Sequence, residues 1–518
     1  MESTMKIVGS PEQEAFWDEI VNGKAHLILQ ARAGTGKTFS CIEGSKRLLE
    51  EHPEMVIKMV AYNKSIATEL QTKVPEQVEA QTMHSLGLAV IKQHAYRTGT
   101  KFGKIGNNWK TKNILEGMGY KVGKGRDFKK DVLAFVQIME KVVSLAKNTM
   151  LDFESWIRYK KEFDAMIAHY GIHLNGKEEE VYHLLPEVLE KSKEFGPGIG
   201  IDFDDMIWLP IVLNMRIHQV DVLFVDEAQD LNRSRQELAI RSAGRLVLVG
   251  DDRQAIYGFT GADAQSMENM ERELRERIAY GDYELPQSVR IMPLTVSRRC
   301  PKSHVELAKD IVPDFKAMDD AKEGAIDTIA HDVLFDQVQK GDLIICRMNA
   351  PLMGVALRLL QEGLPVNIQG RDFQRGLISM IKKIAGKKTT VEELHLKVEQ
   401  YLDRETARLL AQNRPTETQV ELLKDQVSCI QYLCEGQTTV DDVIERIKSL
   451  FVDVETVGDV VLLSSVHRAK GLEAETVFIL EPSKMPHPMA KMDWEKHQEM
   501  NIKYVAITRS LNRLVMVG

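Results

Sequence analysis

The stretch AHLILQARAGTGKT (Ala25–Thr38) runs from a short apolar segment through a glycine-rich turn into a segment with helical periodicity. Its apolar part, AHLILQ (25–30), predicts a strand, and TFSCIEGSKRLLEEH (38–52) predicts the helix that follows. VIKMVAY (56–62) predicts the next strand. Strands that alternate with helices in this way form parallel sheets with crossover helices. The stretch therefore predicts an α/β fold.

The turn in this stretch, ARAGTGKT (Ala31–Thr38), has the composition of a P-loop and stands where a P-loop must stand, between a strand and a helix. Glycines let backbone N–H groups close around phosphate oxygens, and the helix N-terminus adds partial positive charge. Lys37 would contact the β- and γ-phosphates of a nucleotide, and the Thr38 hydroxyl would ligate Mg²⁺. The predicted phosphate-binding residues are Ala33, Gly34, Thr35, Gly36, Lys37 and Thr38.

A pair of acids follows another predicted strand. DVLFVDE (221–227) ends in Asp226 and Glu227, which open the sequence DEAQD (226–230). The strand would deliver Asp226 to the C-terminal edge of the sheet, where α/β folds bind their ligands. Asp226 would hold Mg²⁺ through water, and Glu227 would orient and deprotonate an attacking water. The second carboxylate favours hydrolysis of ATP over phosphoryl transfer to a metabolite.

The predicted strand RLVLVGDD (245–252) leads into a glycine-rich segment with one amide and two rings, Gln254, Tyr257 and Phe259. One interpretation is a strand, a turn and ordinary packing. The other is that Gln254 senses a ligand on one side of the loop while the rings hold a ligand on the other. The local sequence does not decide between them.

The same alternation returns in the second half of the chain. Apolar runs predict strands at GDLIICR (341–347), LPVNIQG (364–370), VVLLSSV (460–466), TVFILE (476–481) and RLVMVG (513–518), with a helix over 350–362. Residues 91–200 and 371–455 have mostly helical periodicity. Within the second of these segments, Thr390 and Thr439 are predicted helix caps because each precedes an acid by three residues.

The composition is that of a globular protein, with 43% hydrophobic and 28% charged residues in a chain of 518. No apolar run approaches the roughly 18 residues of a membrane span, and the first residues lack the features of a signal peptide. Five scattered cysteines without a CxxC pair argue against a zinc site or disulfide framework and favour a reducing compartment.

The net charge of −8 is not that of a protein that coats nucleic acid with its whole surface. Residues 101–130, however, combine many Lys and Arg residues with interleaved rings, among them Trp109 and Tyr120. Such a segment could bind phosphates and stack on bases. The alternative is a solvated basic face whose aromatic residues belong to the core.

Together, DEAQD and GDDRQAIYGFTGA (250–262) resemble motifs of the superfamily 1 DNA helicases of the UvrD/Rep/PcrA type, and further segments match that family in order along the chain. YNKSIA and TMHS are closer to the F-box DNA helicase branch than to UvrD itself. The further matching segments are SPEQ (10–13), AYNKSIATEL (61–70), QTMHSLG (81–87), LTVSRRCP (294–301), CRMNAP (346–351), SSVHRAKGLEAETVFI (464–479) and YVAITRSLNRL (504–514).

The resemblance implies two RecA-like parallel-sheet motor domains, each with a mainly helical insertion, and ATP between the two domains. The expected division is domain 1A at 1–90 and 201–285, insertion 1B at 91–200, domain 2A at 286–370 and 456–518, and a small insertion 2B at 371–455.

The resemblance also implies roles for individual residues. Gln254 would sense the γ-phosphate, and Arg299 and Arg509 would reach it from the second domain, so that the catalytic set is Glu227, Gln254, Arg299 and Arg509. The ATP-binding residues outside the P-loop would be Gln13 at the adenine edge, Arg298, Lys470, Gly471 and Glu473 near the ribose. The DNA-binding residues would be Tyr62, Asn63, Lys64, Thr82, His84, Tyr257 and Phe259.

Two positions depart from the family pattern. Arg298 stands where the family usually has a ring that stacks on adenine, and Thr260 stands where it usually has an arginine. A guanidinium plane can also stack on a base. The first departure puts nucleotide choice in doubt, and the second removes a charged contact.

Three functions are therefore compared. The first is an ATP- and Mg²⁺-dependent translocase and helicase that moves 3′ to 5′ on single-stranded DNA, and on duplex DNA with a single-stranded tail. The second, favoured by the small 2B segment, is a motor that strips proteins such as a single-strand-binding or recombinase protein from DNA. The third is a nucleotide-switched nucleic-acid-binding protein. The expected protein is a monomer without membrane association, in the cytoplasm of a bacterial or virus-infected cell or in a eukaryotic nucleus.

Overall fold

The computed structural model describes most of the chain. The described residues are 7–61, 63–123, 129–170, 172, 174, 176–256, 265–281, 286, 288–386, 389–410, 417–452, 458–488, 490 and 493–518. The chain divides into two compact units. The first comprises Met1–Ala31 and Gly36–Leu294, and the second comprises Arg32–Thr35 and Thr295–Gly518.

The first unit is built on a sheet in which every described strand pairing is parallel. Its strands within the described residues are β1 (His26–Ala31), β2 (Ile57–Ala61), β3 (Glu79–Thr82), β4 (Val220–Val225), β5 (Ala243–Gly250) and β6 (Val289–Leu294). They lie in the order β3-β2-β4-β5-β1-β6. β1 and β4, which lead into the P-loop and into DEAQD, therefore both flank β5 near the centre of the sheet.

Helices of the first unit cover both faces of this sheet or form the segment at 91–200. They are α1 (Pro11–Asn22), α2 (Lys37–Glu51), α3 (Lys64–Lys73), α4 (Met83–Thr98), α5 (Lys110–Gly117), α6 (Lys130–Thr149), α7 (Trp156–His169), α8 (Glu178–Ser192), α9 (Asp205–Val212), α10 (Arg233–Arg241) and α11 (Ser266–Ala279). Leu27 and Leu29 of β1 pack with α1 and α2, whereas Ile28 packs with α9 to α11. This alternation buries both faces, as parallel sheets require.

The helical segment predicted at 91–200 is present and has its own hydrophobic core. Buried side chains from α5 to α8 form that core together with residues of α4 and α9. The expected start of the second domain at residue 286 differs from the structure, because β6 pairs with β1 from His26↔Val289 to Ala31↔Leu294. The first unit therefore includes β6 and ends at Leu294.

The second unit contains a larger parallel sheet and a short strand pair within the described residues. The pair is β7 (Val296–Ser297) and β8 (Lys316–Ala317), and the sheet consists of β9 (Ala325–Ile329), β10 (Leu343–Cys346), β11 (Val366–Gln369), β12 (Phe451–Val452), β13 (Val461–Ser465), β14 (Ala474–Leu480) and β15 (Ser510–Val517). The sheet order is β12-β11-β13-β10-β14-β15-β9.

Helices of the second unit include those of the predicted insertion at 371–455. They are α12 (Lys302–Ala308), α13 (Leu334–Gln337), α14 (Ala350–Gln361), α15 (Arg371–Ile384), α16 (Val391–Leu410), α17 (Glu417–Cys434), α18 (Val440–Leu450) and α19 (Asp493–Ile507). The Thr439 side chain forms a capping box with Asp442, and Thr390 accepts from the Glu393 N–H at 3.2 Å, as predicted.

The α/β fold class with parallel sheets is confirmed, and each strand predicted from an apolar run is present. Within the described ranges, no helix has the length and apolarity that a membrane crossing needs. The division into motor domains and insertions beyond the two compact units stays a prediction.

Candidate functional site

The P-loop lysine and threonine meet the acid pair of DEAQD in the first unit. α2 begins at Lys37 directly after Gly36, which adopts a left-handed conformation with φ +84°. The Thr38 hydroxyl donates to Asp226 Oδ2 at 2.7 Å. The Lys37 ammonium lies 3.3 Å from both carboxylate oxygens of Glu227. Two segments separated by nearly two hundred residues of sequence thus form one polar cluster at the ends of β1 and β4.

The electrostatics of this cluster suit a divalent cation. Burial raises the pKa of Asp226 and the nearby charge of Glu227 raises it further, whereas Lys37 and the Thr38 hydrogen bond act in the opposite direction. Mg²⁺ prefers oxygen ligands and is usually held by one or two carboxylates together with substrate phosphates and water. The Thr38 hydroxyl and the Asp226 carboxylate therefore fit Mg²⁺, and Lys37 fits a phosphate.

Glu227 has an unusual backbone conformation. Its φ of 55° and ψ of 42° lie in the left-handed region, which non-glycine residues rarely adopt. Strained backbone of this kind is concentrated at functional sites, where the surrounding structure enforces it. The conformation turns the chain directly after β4 and places Glu227 beside Lys37.

Gln13 lies next to the P-loop. Its side chain completes a capping box with Ser10, and its Nε2 donates to the Ser40 hydroxyl on α2 at 3.0 Å. A Cβ atom at Gly36 would lie 3.4 Å from Gln13 Nε2, so the amide and the P-loop are in contact. The predicted adenine contact of Gln13 is not tested by these distances and stays a prediction.

Gln254 is linked to Glu227 through two buried residues, Asp251 and Gln229. Gln254 Nε2 donates to Asp251 Oδ2 at 2.7 Å, and the Asp251 N–H donates to Gln229 Oε1 at 3.0 Å. Gln229 Nε2 in turn donates to Glu227 Oε2. Gln229 and Asp251 were not among the predicted site residues. The only clue to them in the sequence is that they belong to DEAQD and GDDRQ, the two segments that these hydrogen bonds connect.

The predicted nucleic-acid segments lie at one edge of the first sheet. Ala61 of β2 pairs with Thr82 of β3, and helices α3 and α4 begin just after these strands. Asn63 and Thr82 cap these helices by accepting from backbone N–H groups at 2.8 Å and 3.2 Å. Lys64 is exposed. Tyr62, Tyr257 and Phe259 lie outside the described residues, so their expected contacts stay predictions.

An exposed ring that the sequence analysis missed lies beside these segments. Phe203 is 55% exposed, and its ring meets the edge of His84 at a centroid distance of 5.8 Å. Burial and, secondarily, Arg235 lower the pKa of His84 to about 4. His84 is therefore neutral at pH 7 and offers a ring and a hydrogen-bonding nitrogen rather than a charge.

The described residues of the segment 101–130 differ in burial. Trp109 is 60% exposed, with the Lys112 ammonium 5.2 Å from its ring centre. Tyr120 instead stacks on Phe135 at the insertion's core, and Lys110 is buried. Tyr120 and Lys110 therefore belong to the packed interior of this segment, and nucleic-acid binding by the exposed Trp109 and Lys112 stays a prediction.

Three of the expected residues converge in the second unit. Arg299 Nη1 lies 3.1 Å from Glu473 Oε2, and its Nη2 donates to the Thr508 carbonyl at 2.9 Å. Arg509 is buried and donates to the Val505 carbonyl at 3.0 Å. Burial, and then Arg299, lower the pKa of Arg509 to about 10. The two guanidinium groups and Glu473 thus form one charged group.

The remaining expected ATP-binding residues of the second unit lie on loops. The Arg298 N–H donates to the Gly34 carbonyl at 2.8 Å, and the Tyr504 hydroxyl accepts from the Ala33 N–H at 2.8 Å. Thr35 Oγ1 donates to the Arg32 carbonyl at 2.8 Å. Lys470 and Gly471, with φ +93° at the glycine, lead into Leu472 and Glu473.

Two parallel sheets, with a P-loop after β1 and an acid pair after β4, define the class of P-loop α/β proteins. The UvrD/REP helicase N-terminal domain matches residues 12–275, and the UvrD-like helicase C-terminal domain matches residues 461–517. The chain belongs to the UvrD/REP helicase family, as its motifs indicated.

Several curated relatives are similar to this chain. The ATP-dependent DNA helicase Rep of Buchnera aphidicola is 28% identical over 273 residues, which is 48% of this chain and 38% of that protein. The F-box DNA helicase protein 1 of Schizosaccharomyces pombe is 22% identical over 537 residues, or 98% of this chain and 57% of that protein. The ATP-dependent DNA helicase PcrA of Staphylococcus epidermidis is 26% identical over 306 residues, or 53% of this chain and 37% of that protein. The chain thus spans clearly less than two thirds of the length of these relatives.

Proposed function

We propose that this protein is an ATP-dependent translocase and helicase that moves 3′ to 5′ along single-stranded DNA. The observation that carries the proposal is the cluster of Lys37, Thr38, Asp226 and Glu227. The cluster brings together the Lys37 ammonium, which suits a phosphate, and the oxygens of Thr38 and Asp226, which suit Mg²⁺. Glu227 adds a second carboxylate beside them. Membership of the UvrD/REP helicase family and the names of the relatives support DNA as the track.

In this proposal each residue of the cluster has a separate task. Thr38 and Asp226 hold Mg²⁺, which when bound neutralises charge on the β- and γ-phosphates. Lys37 binds the same phosphates, and to do so it exchanges its Glu227 partner for the nucleotide. Release of Lys37 leaves Glu227, still held by Gln229, to orient and deprotonate the attacking water. Gln254 senses the γ-phosphate, and its hydrogen bond to Asp251 connects it to Gln229.

The second unit supplies further roles in this proposal. Arg299 and Arg509 stabilise the charge that develops on the γ-phosphate, as arginine fingers do. Glu473, which Arg299 contacts, binds the ribose of the nucleotide. The other proposed ATP-binding residues are Gln13, Ala33, Gly34, Thr35, Gly36, Arg298, Lys470 and Gly471.

The proposed DNA surface lies at the β2–β3 edge of the first sheet. Asn63, Lys64 and Thr82 contact the backbone of the strand there. The rings of Phe203 and His84 stack on bases, which does not require a particular sequence because every base has a π-face. Tyr62, Tyr257 and Phe259 complete the proposed set. Single-stranded DNA and duplex DNA with a single-stranded tail are the proposed substrates, bound by a monomer in the cytoplasm or in a nucleus.

A motor that strips single-strand-binding or recombinase proteins from DNA is a second candidate. The observation that favours it is the compact helical segment at 371–455, in which many of the buried side chains that the structure describes belong to the same hydrophobic core as the second sheet. A nucleotide-switched binding protein is less well supported, because such a protein has no need of Glu227 held between Lys37 and Gln229.

Steady-state ATPase activity with and without an oligo-dT strand tests the proposal. We expect strong stimulation by DNA, because the proposed DNA surface and the acid pair belong to one unit. Lys37→Ala should abolish hydrolysis, and Glu227→Gln should bind ATP but turn it over about 10²–10⁴-fold more slowly, the usual contribution of a general base.

Two outcomes would count against the proposal. Near wild-type turnover in Glu227→Gln would remove that residue from the role of base. Activity indifferent to DNA but stimulated by an RNA strand of the same length would reassign the track, so both strands are compared in one titration.

A further inference from the structure

The segment Asp202–Asp205 (DFDD) reverses the usual distribution of polar and apolar side chains. Phe203 is exposed, whereas Asp205 is fully buried and Asp202 and Asp204 are half-buried. Asp205 contacts the ammonium groups of Lys110 at 2.6 Å and of Lys147 at 2.8 Å, and Lys147 also contacts Asp202 at 2.7 Å. The inward-facing carboxylates therefore anchor the backbone on both sides of Phe203.

This cluster is costly to bury. Removing charged groups from water can cost more than their mutual attraction returns, so such clusters are weak evidence for stabilisation. Burial lowers the pKa of Lys110, whereas at Lys147 the attraction of Asp205 and Asp202 outweighs burial and raises the pKa. What the cluster provides is a fixed position for the start of α9 against α5 and α6.

A second set of hydrogen bonds leads from the same segment to DEAQD. Asp204 Oδ2 accepts from the Ser144 hydroxyl at 2.6 Å, and Asp204 Oδ1 accepts from Asn148 Nδ2 at 3.2 Å. Asn148 Oδ1 accepts from Asn232 Nδ2 at 2.7 Å. Asn232 is buried, caps α10 by accepting from the Arg235 N–H, and follows Asp230 by two residues. Asn148 thus bridges Asp204, at the start of α9, and Asn232, at the start of α10.

We propose that Asn148 is a positioning residue that couples DNA bound at Phe203 to the acid pair Asp226–Glu227. This inference rests on the proposed function. Because the ion pairs hold the start of α9 on Lys147 of α6, a strand that stacks on Phe203 moves the two together, and the hydrogen bonds through Asp204, Asn148 and Asn232 transmit that movement to the segment after DEAQD. The insertion helix α6 is therefore part of the motor's coupling, and not only a support for the DNA surface.

The test compares Asn148→Ala and Asn232→Ser with Thr149→Ala. Serine retains the helix cap at Asn232 but lacks the Nδ2 donor. Thr149 is the matched control: it neighbours Asn148 on α6, is half-buried as Asn148 is, and donates to the carbonyl of Leu145 in its own helix. Basal ATPase rate, rate at saturating oligo-dT, and DNA affinity by fluorescence anisotropy are measured for each protein.

We expect the basal ATPase rate and the folded fraction to be unchanged in all three variants. Stimulation of the ATPase rate by DNA should fall about fivefold or more in Asn148→Ala and Asn232→Ser, since coupling between sites is typically 5–150-fold. The double variant should lose no more stimulation than either single variant, because both interrupt one connection. The factor by which a non-hydrolysable ATP analogue changes DNA affinity should shrink in parallel, as linkage between two binding sites requires.

The outcomes separate this inference from the proposed function. Wild-type stimulation in Asn148→Ala and Asn232→Ser would overturn the inference and leave the proposed function intact. An equal fall in basal and stimulated rates would also overturn it, because a purely structural role has that effect. If wild-type protein itself is not stimulated by DNA, the proposed function fails.

Discussion

Gly250 shows how a single missing side chain permits the contact between Gln229 and the end of β5. A Cβ atom at Gly250 would lie 2.4 Å from Gln229 Oε1 and 2.8 Å from Met267 Sδ, closer than real Cβ contacts. Gly250→Ala should therefore displace Gln229 from Glu227 and Asp251. We expect a fall in ATPase kcat of up to about 10²-fold, the effect of an ångström-scale displacement at a reacting group.

Gly244→Ala is the matched control for this prediction, because Gly244 lies in the same strand and its Cβ would meet Asp221 O at an ordinary 3.4 Å. ATPase rates and urea unfolding curves are measured for both variants. Equal kcat values in the two variants would show that Gln229 does not position Glu227.

At the same residue scale, the candidate site was only partly predictable from sequence. Lys37, Thr38, Asp226 and Glu227 could be predicted because a P-loop and an acidic strand end have fixed local patterns. Gln229 and Phe203 could not, since their roles depend on which distant side chain each one meets. Phe203 is notable only after the structure shows that the acids beside it face inward.

At the scale of elements, the strands that sequence did not predict lie at the edges of the sheets. β3 and β6 are the edges of the first sheet, and β9 and β12 are the edges of the second. Central parallel strands are buried on both faces and therefore appear as continuous apolar runs. Edge strands carry polar residues, as in EAQT of β3, or a proline, as in VRIMPL of β6. Their sequences do not distinguish them from loops.

A second feature at the scale of elements is the contact between α17 and the start of α14. Asp425 of α17 is buried and accepts from the N–H groups of Asn349 at 2.9 Å and Ala350 at 2.7 Å, at the start of α14. Asp425→Ala leaves those donors unpaired, and each such loss costs about 1–3 kcal/mol. With two donors affected, we expect the second unit to lose about 2–6 kcal/mol of stability, measured by urea unfolding.

Asp403→Ala serves as the control for this prediction, because Asp403 is an exposed residue of α16 in the same helical segment. Surface substitutions of this kind usually change stability by less than about 0.5 kcal/mol. Unfolding curves that coincide for Asp425→Ala and Asp403→Ala would mean that Asp425 does not hold α17 on α14.

At the scale of the whole molecule, the proposed helicase and the stripping motor share one ATP site and differ in what the movement displaces. The helical segment at 371–455 is where the two candidates diverge, since buried side chains of its described residues, among them Leu377 and Leu450, belong to the core of the second sheet. A segment built into that core can act on DNA only as part of the second unit. Unwinding of a DNA duplex then depends on whether the second unit can contact the end of that duplex.

Unwinding of labelled duplexes with either a 3′ or a 5′ single-stranded tail tests the whole-molecule proposal, alongside release of a labelled recombinase from single-stranded DNA. We expect ATP-dependent unwinding of the 3′-tailed duplex and not of the 5′-tailed one, because the proposed direction requires loading on the 3′ side. Lys37→Ala, which lacks the phosphate-binding cation, should be inactive in both assays. If wild-type protein releases the recombinase but unwinds neither duplex, the proposed function becomes that of the stripping motor. If it unwinds the 5′-tailed duplex, the proposed direction of movement is reversed.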